Sequence, residues 1–179
     1  MEFLIILLVI VGLFFGFVFW YCDKMKKEKG YEEAVIFSHV EGIPGIGKDT
    51  EVMIYLYPDK ITVNDIQIIS LTRIKKALFI SQQEIVEKQK NALLRGVGAG
   101  IVFGPLGAII GAISGIGSKT LQENVFYFSV EFENTEGELK HAVFILKRMG
   151  ALTEAYRLTE KINNKIGYKI QDIIVPHEI

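Results

Sequence analysis

Hydrophobic and polar positions change period several times along this chain. From Phe3 to Cys22 there is no period: FLIILLVIVGLFFGFVFWYC is 20 residues without a charge. As a helix rising about 1.5 Å per residue it would extend roughly 30 Å, the depth of a bilayer's hydrocarbon core. The run predicts a transmembrane anchor over residues 1–22, with Phe3, Leu4, Leu7, Leu8, Phe14 and Phe15 in lipid and Trp20 and Tyr21 at the interface. A cleaved signal peptide would open on basic residues and close on small ones; here only Glu2 precedes the run and bulky rings end it. Lys24, Lys26, Lys27 and Lys29 follow at once, in a basic juxtamembrane linker of residues 23–31. Since no lysine or arginine precedes the run, the positive-inside rule predicts a single-pass cell-membrane protein with its N-terminus outside and the rest in the cytoplasm. Asp23 and Glu28 dilute the four lysines, which favours a topological role over recognition of an anionic lipid headgroup.

Beyond residue 32 the pattern turns to period two. Glu33–Val40, Glu51–Tyr57, Ile61–Asn64 and Ile66–Leu71 are short β-branched or aromatic runs separated by turn residues such as Pro58-Asp59-Lys60 and Asn64-Asp65. The clearest strand is Asn124–Glu133, where Phe126, Phe128, Val130 and Phe132 alternate with Tyr127, Ser129, Glu131 and Glu133. Asn134-Thr135-Glu136-Gly137 turns it into a partner, Glu138–Leu146. Between Gly150 and Gly167 the period becomes helical, with Leu152, Ala155, Leu158, Ile162 and Ile166 in one stripe and Glu154, Arg157, Glu160, Lys161 and Lys165 facing away. Gly167 is placed to end that helix.

Between the two groups of strands lies a second charge-free block, residues 96–118, which holds 8 of the 17 glycines. Pro105 would interrupt a helix near its middle. Gly96, Gly100 and Gly104 before that turn, and Gly107, Gly111 and Gly115 after it, recur every four residues, the spacing that lets two helices approach closely. The block therefore predicts a glycine-zipper hairpin that leaves and returns on one side of the membrane, since a single crossing would separate strands of one sheet.

The fold predicted is mainly β with α: an N-terminal transmembrane helix, then a small β-barrel or sandwich over residues 32–167, interrupted by the hairpin at 96–118 and closed by an amphipathic helix, then a tail of residues 168–179. Charge adds little, because 20 Lys+Arg against 21 Asp+Glu give a net charge of −1 and no global field for a nucleic acid. The apolar blocks explain the high mean hydropathy of +0.30. The single cysteine, Cys22, forms no internal disulfide.

Motifs for catalysis do not assemble. Gly42-Ile43-Pro44-Gly45-Ile46-Gly47-Lys48 spells the GxxxxGK of a phosphate loop, yet Asp49 stands where Ser or Thr would hold magnesium, and a strand pattern follows where a helix is needed. It reads as a glycine-rich turn between strands. His39, His141 and His177 are far apart with no metal-ligand spacing, and Ser114 lacks the glycines of a nucleophile elbow. Glu131, Glu133, Glu136 and Glu138 surround a turn, where a solvated surface or a face for a basic partner are the alternatives. No cofactor, metal or catalytic residue is assigned.

The phrases HVEGIPGIGKDTEVMIYLYPDKITV, SLTRIKKALFI, GVGAGIVFGPLGAIIGAISG and FYFSVEFENTEGELKHAVF, in that order, resemble small bacterial proteins with a pleckstrin-homology-like (PH-like or GRAM-like) domain over roughly residues 32–167. The resemblance implies a strand barrel capped by a helix and a module that binds lipids, peptides or proteins. The function expected is a membrane-anchored, cytoplasm-facing, non-enzymatic binding or scaffold module. Its expected partners are the lipid bilayer and a protein or second copy held through the glycine hairpin. The alternative is a membrane-active, pore-forming effector that inserts the glycine-rich segment.

Overall fold

The computed structural model describes residues 2–85, 87, 125–147 and 149–168, with the backbone alone described at 2–5, 8, 9, 19, 22, 25 and 149. The glycine-zipper positions Gly96, Gly100, Gly104, Pro105, Gly107, Gly111 and Gly115, and the tail beyond Tyr168, lie outside the described residues. The chain divides into two units, Met1–Glu32 and Glu33–Ile179.

The first unit is one helix, α1 (Glu2–Lys29). It does not stop at Cys22; the lysines expected in a linker continue it. Lys26, Lys27 and Lys29 occupy its last turn, where cations oppose the helix dipole. Exposed pairs at i,i+4 spacing, Asp23 with Lys27 at 2.6 Å and Lys24 with Glu28 at 3.6 Å, run along the same end. The Lys24 ammonium also sits 5.4 Å from the Trp20 ring centre, and Phe17 stacks on Tyr21 at 6.2 Å.

Among the described residues, no helix is long and apolar enough to cross a membrane. That finding overturns the predicted single-pass transmembrane helix and the predicted location in the cell membrane. Leu7, Phe14, Phe15, Trp20 and Tyr21 are exposed on α1, while the side chains of Phe3, Leu4 and Leu8 fall outside the described set.

In the second unit the strands are β1 (Glu33–Glu41), β2 (Glu51–Leu56), β3 (Lys60–Val63), β4 (Gln67–Ser70), β5 (Ile74–Ser81), β6 (Phe126–Glu133) and β7 (Leu139–Leu146). A 3-10 turn, Leu71–Arg73, joins β4 to β5, and α2 (Leu152–Lys165) follows β7. All pairings are antiparallel, in the order β4-β3-β2-β1-β7-β6-β5. This single seven-stranded sheet replaces the predicted barrel or sandwich attached to a transmembrane helix. What unites the two sequence groups of strands is β1, which pairs with β2 through Glu33–Ser38 and with β7 through Ser38–Glu41, with a register shift between His39 and Glu41. A shift of that kind bends a strand and sharpens its twist.

Two buried apolar clusters are described: a smaller one of Val40, Leu78, Ile80, Ile85, Tyr127 and Val143, and a larger one to which all seven strands contribute. Phe37, Phe128 and Phe144 lie at its centre, with ring centres 5.0 Å apart for Phe37–Phe128 and 5.9 Å for Phe128–Phe144. The same cluster takes in Ile54, Leu56, Ile61 and Ile69 from β2 to β4, and Ala155, Leu158 and Ile162 from α2. Among the described elements α2 packs mainly on β5 and β1. Truncating Phe128 to alanine would cost about 3–5 kcal/mol at such a site.

The β6–β7 hairpin follows the period-two pattern closely, with Phe128 opposite Phe144 and Val130 opposite Ala142. Asn134 Oδ1 accepts the N–H groups of Glu136 and Glu138, both at 2.9 Å, and shapes the turn. In α2 the apolar stripe is buried, and Gly167 ends the helix at φ 71°, the left-handed conformation glycine adopts without strain.

Candidate functional site

A concavity lies where the β1–β2 loop, residues 42–50, meets the β3–β4 turn. A groove of about 370 Å³ is lined there by Pro44, Gly45, Ile46, Gly47 and Thr50 on one side, and by Val63, Asn64, Ile66 and Gln67 on the other.

The loop is held from beneath by His39, which is buried. Its Nδ1 lies 3.1 Å from the Gly47 carbonyl, and its Nε2 accepts the Ile43 N–H at 3.2 Å. A carbonyl only accepts and an N–H only donates, so this pairing requires the neutral tautomer with the proton on Nδ1. The His39 backbone adds two bonds, its N–H to Thr50 O at 2.9 Å and its carbonyl from the Asp49 N–H at 2.7 Å. Ile43 is buried in the core and anchors the loop's first turn. Gly42 is required: at φ 95°, a Cβ there would fall 1.8 Å from the His141 carbonyl on β7.

The opposite wall is a tight turn in which Asn64 and Asp65 adopt φ 54° and 55°. Asn and Asp tolerate this region because their short polar side chains bond locally. Asn64 Oδ1 accepts the Met53 N–H at 2.8 Å, and the Asn64 N–H returns to the Met53 carbonyl at 2.8 Å. Asp65 Oδ1 accepts from Thr62 Oγ1 and Tyr57 Oη, both at 3.1 Å. Desolvation first, and then the bond and charge of Asp65, raise the Tyr57 phenol above its ordinary value; Tyr55 is raised by desolvation and then by Asp65. Gln67 Nε2 reaches the Pro44 carbonyl at 3.4 Å and ties the two walls together.

Chemically the groove offers apolar side chains, backbone amides, one hydroxyl and two carboxamides. Its rim is more apolar still: Ile66 is 77% exposed and Ile68, on the adjoining strand β4, is 59% exposed. The only cation in the loop is Lys48, beside Asp49, whose carboxylate lies 3.8 Å from Lys147. The GxxxxGK string thus lies between strands β1 and β2, and no helix N-terminus follows it to face a phosphate.

The other sequence candidates are dispersed. The acidic group at the last hairpin is matched by bases: Glu133 with Lys75 at 2.9 Å, Glu138 with Lys140 at 2.8 Å, and Glu131 facing His141 at 3.7 Å. The Lys140 bond and charge, with help from Asn134, hold the Glu138 carboxyl below its ordinary value. Lys24, Lys26, Lys27 and Lys29 belong to α1. Among the described residues no group of three His, Cys, Asp or Glu could hold a metal ion. Sequence reasoning found the glycine-rich turn but missed His39 beneath it and Asn64, Ile66 and Gln67 across from it. Asn64-Asp65 was a visible turn signal; nothing local in the sequence shows that this turn faces residues 42–50. No family model matches the chain, and no curated protein matches it either.

Proposed function

We propose that the β-domain is a non-catalytic binding module and that the groove between residues 42–50 and 63–67 is its site. The observation that carries this reading is a rigidly held groove whose rim leaves Ile66 and Ile68 in water. Exposed apolar residues beside a concave surface mark interaction sites more often than scattered ones do. The wall chemistry, apolar side chains interleaved with backbone amides, suits an extended apolar peptide better than a phosphorylated headgroup, which needs a cluster of cations. Seven strands followed by one helix support the implication of the PH-like resemblance that the domain binds.

Selection of displayed random peptides on the immobilised full chain tests the proposal. Peptides rich in apolar residues should be enriched, and their binding should fall at least tenfold in Ile66→Asp while persisting in Leu139→Asp, a change at a distant exposed apolar residue. Absence of enrichment, or equal loss in both variants, would overturn it.

A further inference from the structure

The glycine-rich wall of the groove hangs from one buried side chain. The His39 ring lies edge-on to Phe144, with ring centres 5.7 Å apart, and its two nitrogens hold opposite kinds of group: Nδ1 donates to the Gly47 carbonyl at 3.1 Å, and Nε2 accepts the Ile43 N–H at 3.2 Å. The ends of the loop are fixed otherwise. Ile43 is seated in the core, and short backbone bonds tie Asp49 and Thr50 to His39. Between them the loop has little else. The Ile46 N–H reaches the Ile43 carbonyl, the Thr50 N–H reaches the Gly47 carbonyl, and Gln67 Nε2 reaches the Pro44 carbonyl, each at 3.4 Å. Bonds of that length are weak, so the imidazole is the main tie on the stretch that gives the groove Pro44, Gly45, Ile46 and Gly47.

Only the neutral ring can make both bonds. It has one N–H and one lone pair, whereas the imidazolium has two N–H groups and no acceptor. A proton on Nε2 would face the Ile43 N–H in a buried place, leaving two donors and a charge without a partner. The surroundings offer no compensation. Among the described residues no ion pair includes His39. Glu41 on β1, Lys48 and Asp49 in the loop, and Glu51 on β2 are exposed. Asp49 is turned to Lys147, which follows β7, at 3.8 Å. Glu51 stands opposite Ser38, so its side chain lies on the other face of the sheet from His39. On β7, His141 faces Glu131, and on the far wall Asp65 is engaged by Thr62 and Tyr57. Lys48 and Lys147 carry the same sign as an imidazolium and oppose it.

We propose that a proton taken up by His39 releases the loop between Ile43 and Asp49 and dismantles the groove, so that the site is formed at neutral pH and lost in mildly acidic solution. The formed loop holds a neutral imidazole; the released loop exposes an ordinary one, which takes up its proton at about pH 6.5. The released form then binds one proton more. Release is therefore independent of pH above that value and grows about tenfold per pH unit below it. As regulation of binding, this rests on the reading of the groove as the binding site; as a movement of the loop, it does not.

The test uses the full chain carrying His141→Gln and His177→Gln, in which His39 is the only histidine. Amide exchange, corrected for the intrinsic chemical rate, is followed from about pH 7.5 to about pH 5.5. The Ile43 and Ile46 amides should lose about tenfold in protection per pH unit below about pH 6.5, while Phe128 and Phe144 keep theirs. Adding His39→Gln, whose amide has a donor and an acceptor but takes up no proton, should abolish that dependence. Nitrogen NMR of the His39 ring gives a reading that needs no substitution at the site: the Nδ1–H tautomer is expected at neutral pH. Unchanged protection of Ile43 and Ile46, the same loss in His39→Gln, or equal loss on β6 and β7 would overturn the proposal. So would the other tautomer, or an imidazolium with the Ile43 amide still protected. Peptides selected at neutral pH should dissociate over the same range. Amides that respond while no peptide binds sink the binding reading and leave the switch; peptides that bind equally throughout, with protected amides, do the reverse.

Discussion

The β5 and β4 edges of the same sheet are built in opposite ways. At β5 the buried amide of Asn163 from α2 copies the two hydrogen bonds of a neighbouring strand at Ala77. At β4 the corresponding groups of Ile68 and Ser70 point outward on an uncharged strand and meet no neighbouring strand among the described residues, next to an apolar groove. An edge strand without a neighbour is a template for further pairing, and among the described residues only β4 presents such an edge without a side chain bonded to its backbone from outside the sheet. The contrast also separates stability from binding: the closed edge belongs to the core, and the open one can change with little cost to the fold.

The largest effect is expected at the closed edge. Asn163→Ala leaves a buried N–H and a buried carbonyl at Ala77 without partners, and each such group costs about 1–3 kcal/mol. A loss of about 3 kcal/mol is expected in chemical denaturation, larger than for any substitution on β4. Gly42→Ala comes next, because its Cβ would collide with the His141 carbonyl in a backbone conformation that alanine resists. About 2 kcal/mol is expected, measured the same way, with faster proteolysis within residues 42–50.

His39→Leu sharpens the comparison from the groove side. It frees the Gly47 carbonyl and the Ile43 N–H, both next to solvent-facing loop residues, so about 1–2 kcal/mol is expected. Its clearer signature is loss of the bound peptides selected on the parent chain, with β6–β7 exchange unchanged. Ile68→Lys, at the open edge, should change stability by less than about 0.5 kcal/mol, as exposed substitutions do, yet weaken peptide binding at least fivefold.

How much of this was legible in the sequence depended on how local the cause was. Phe126, Phe128, Val130 and Phe132 announced β6 because alternation is written in consecutive residues. The stripe from Leu152 to Ile166 announced α2 for the same reason. The joining of β1 to β7 was hidden, since it pairs Ser38 with Ile145 across more than half of the chain. Asn163 was hidden differently: a polar residue next to Ile162 looks solvent-facing until the Ala77 backbone is known to lie against it. His39 looked like an ordinary strand residue, although its two ring nitrogens hold the groove's glycine-rich wall. The run from Phe3 to Cys22 misled by composition, because counting apolar letters predicted a membrane span that the described helix does not provide.

Site-resolved hydrogen exchange on the full chain tests the difference between the edges most directly. The Ala77 amide, bonded to a fully buried side chain, should exchange only through global unfolding. The Ile68 and Ser70 amides should exchange at least a hundredfold faster, through local opening of β4. Equal protection at Ala77, Ile68 and Ser70, or rapid exchange at Ala77, would contradict the account of one closed and one open edge.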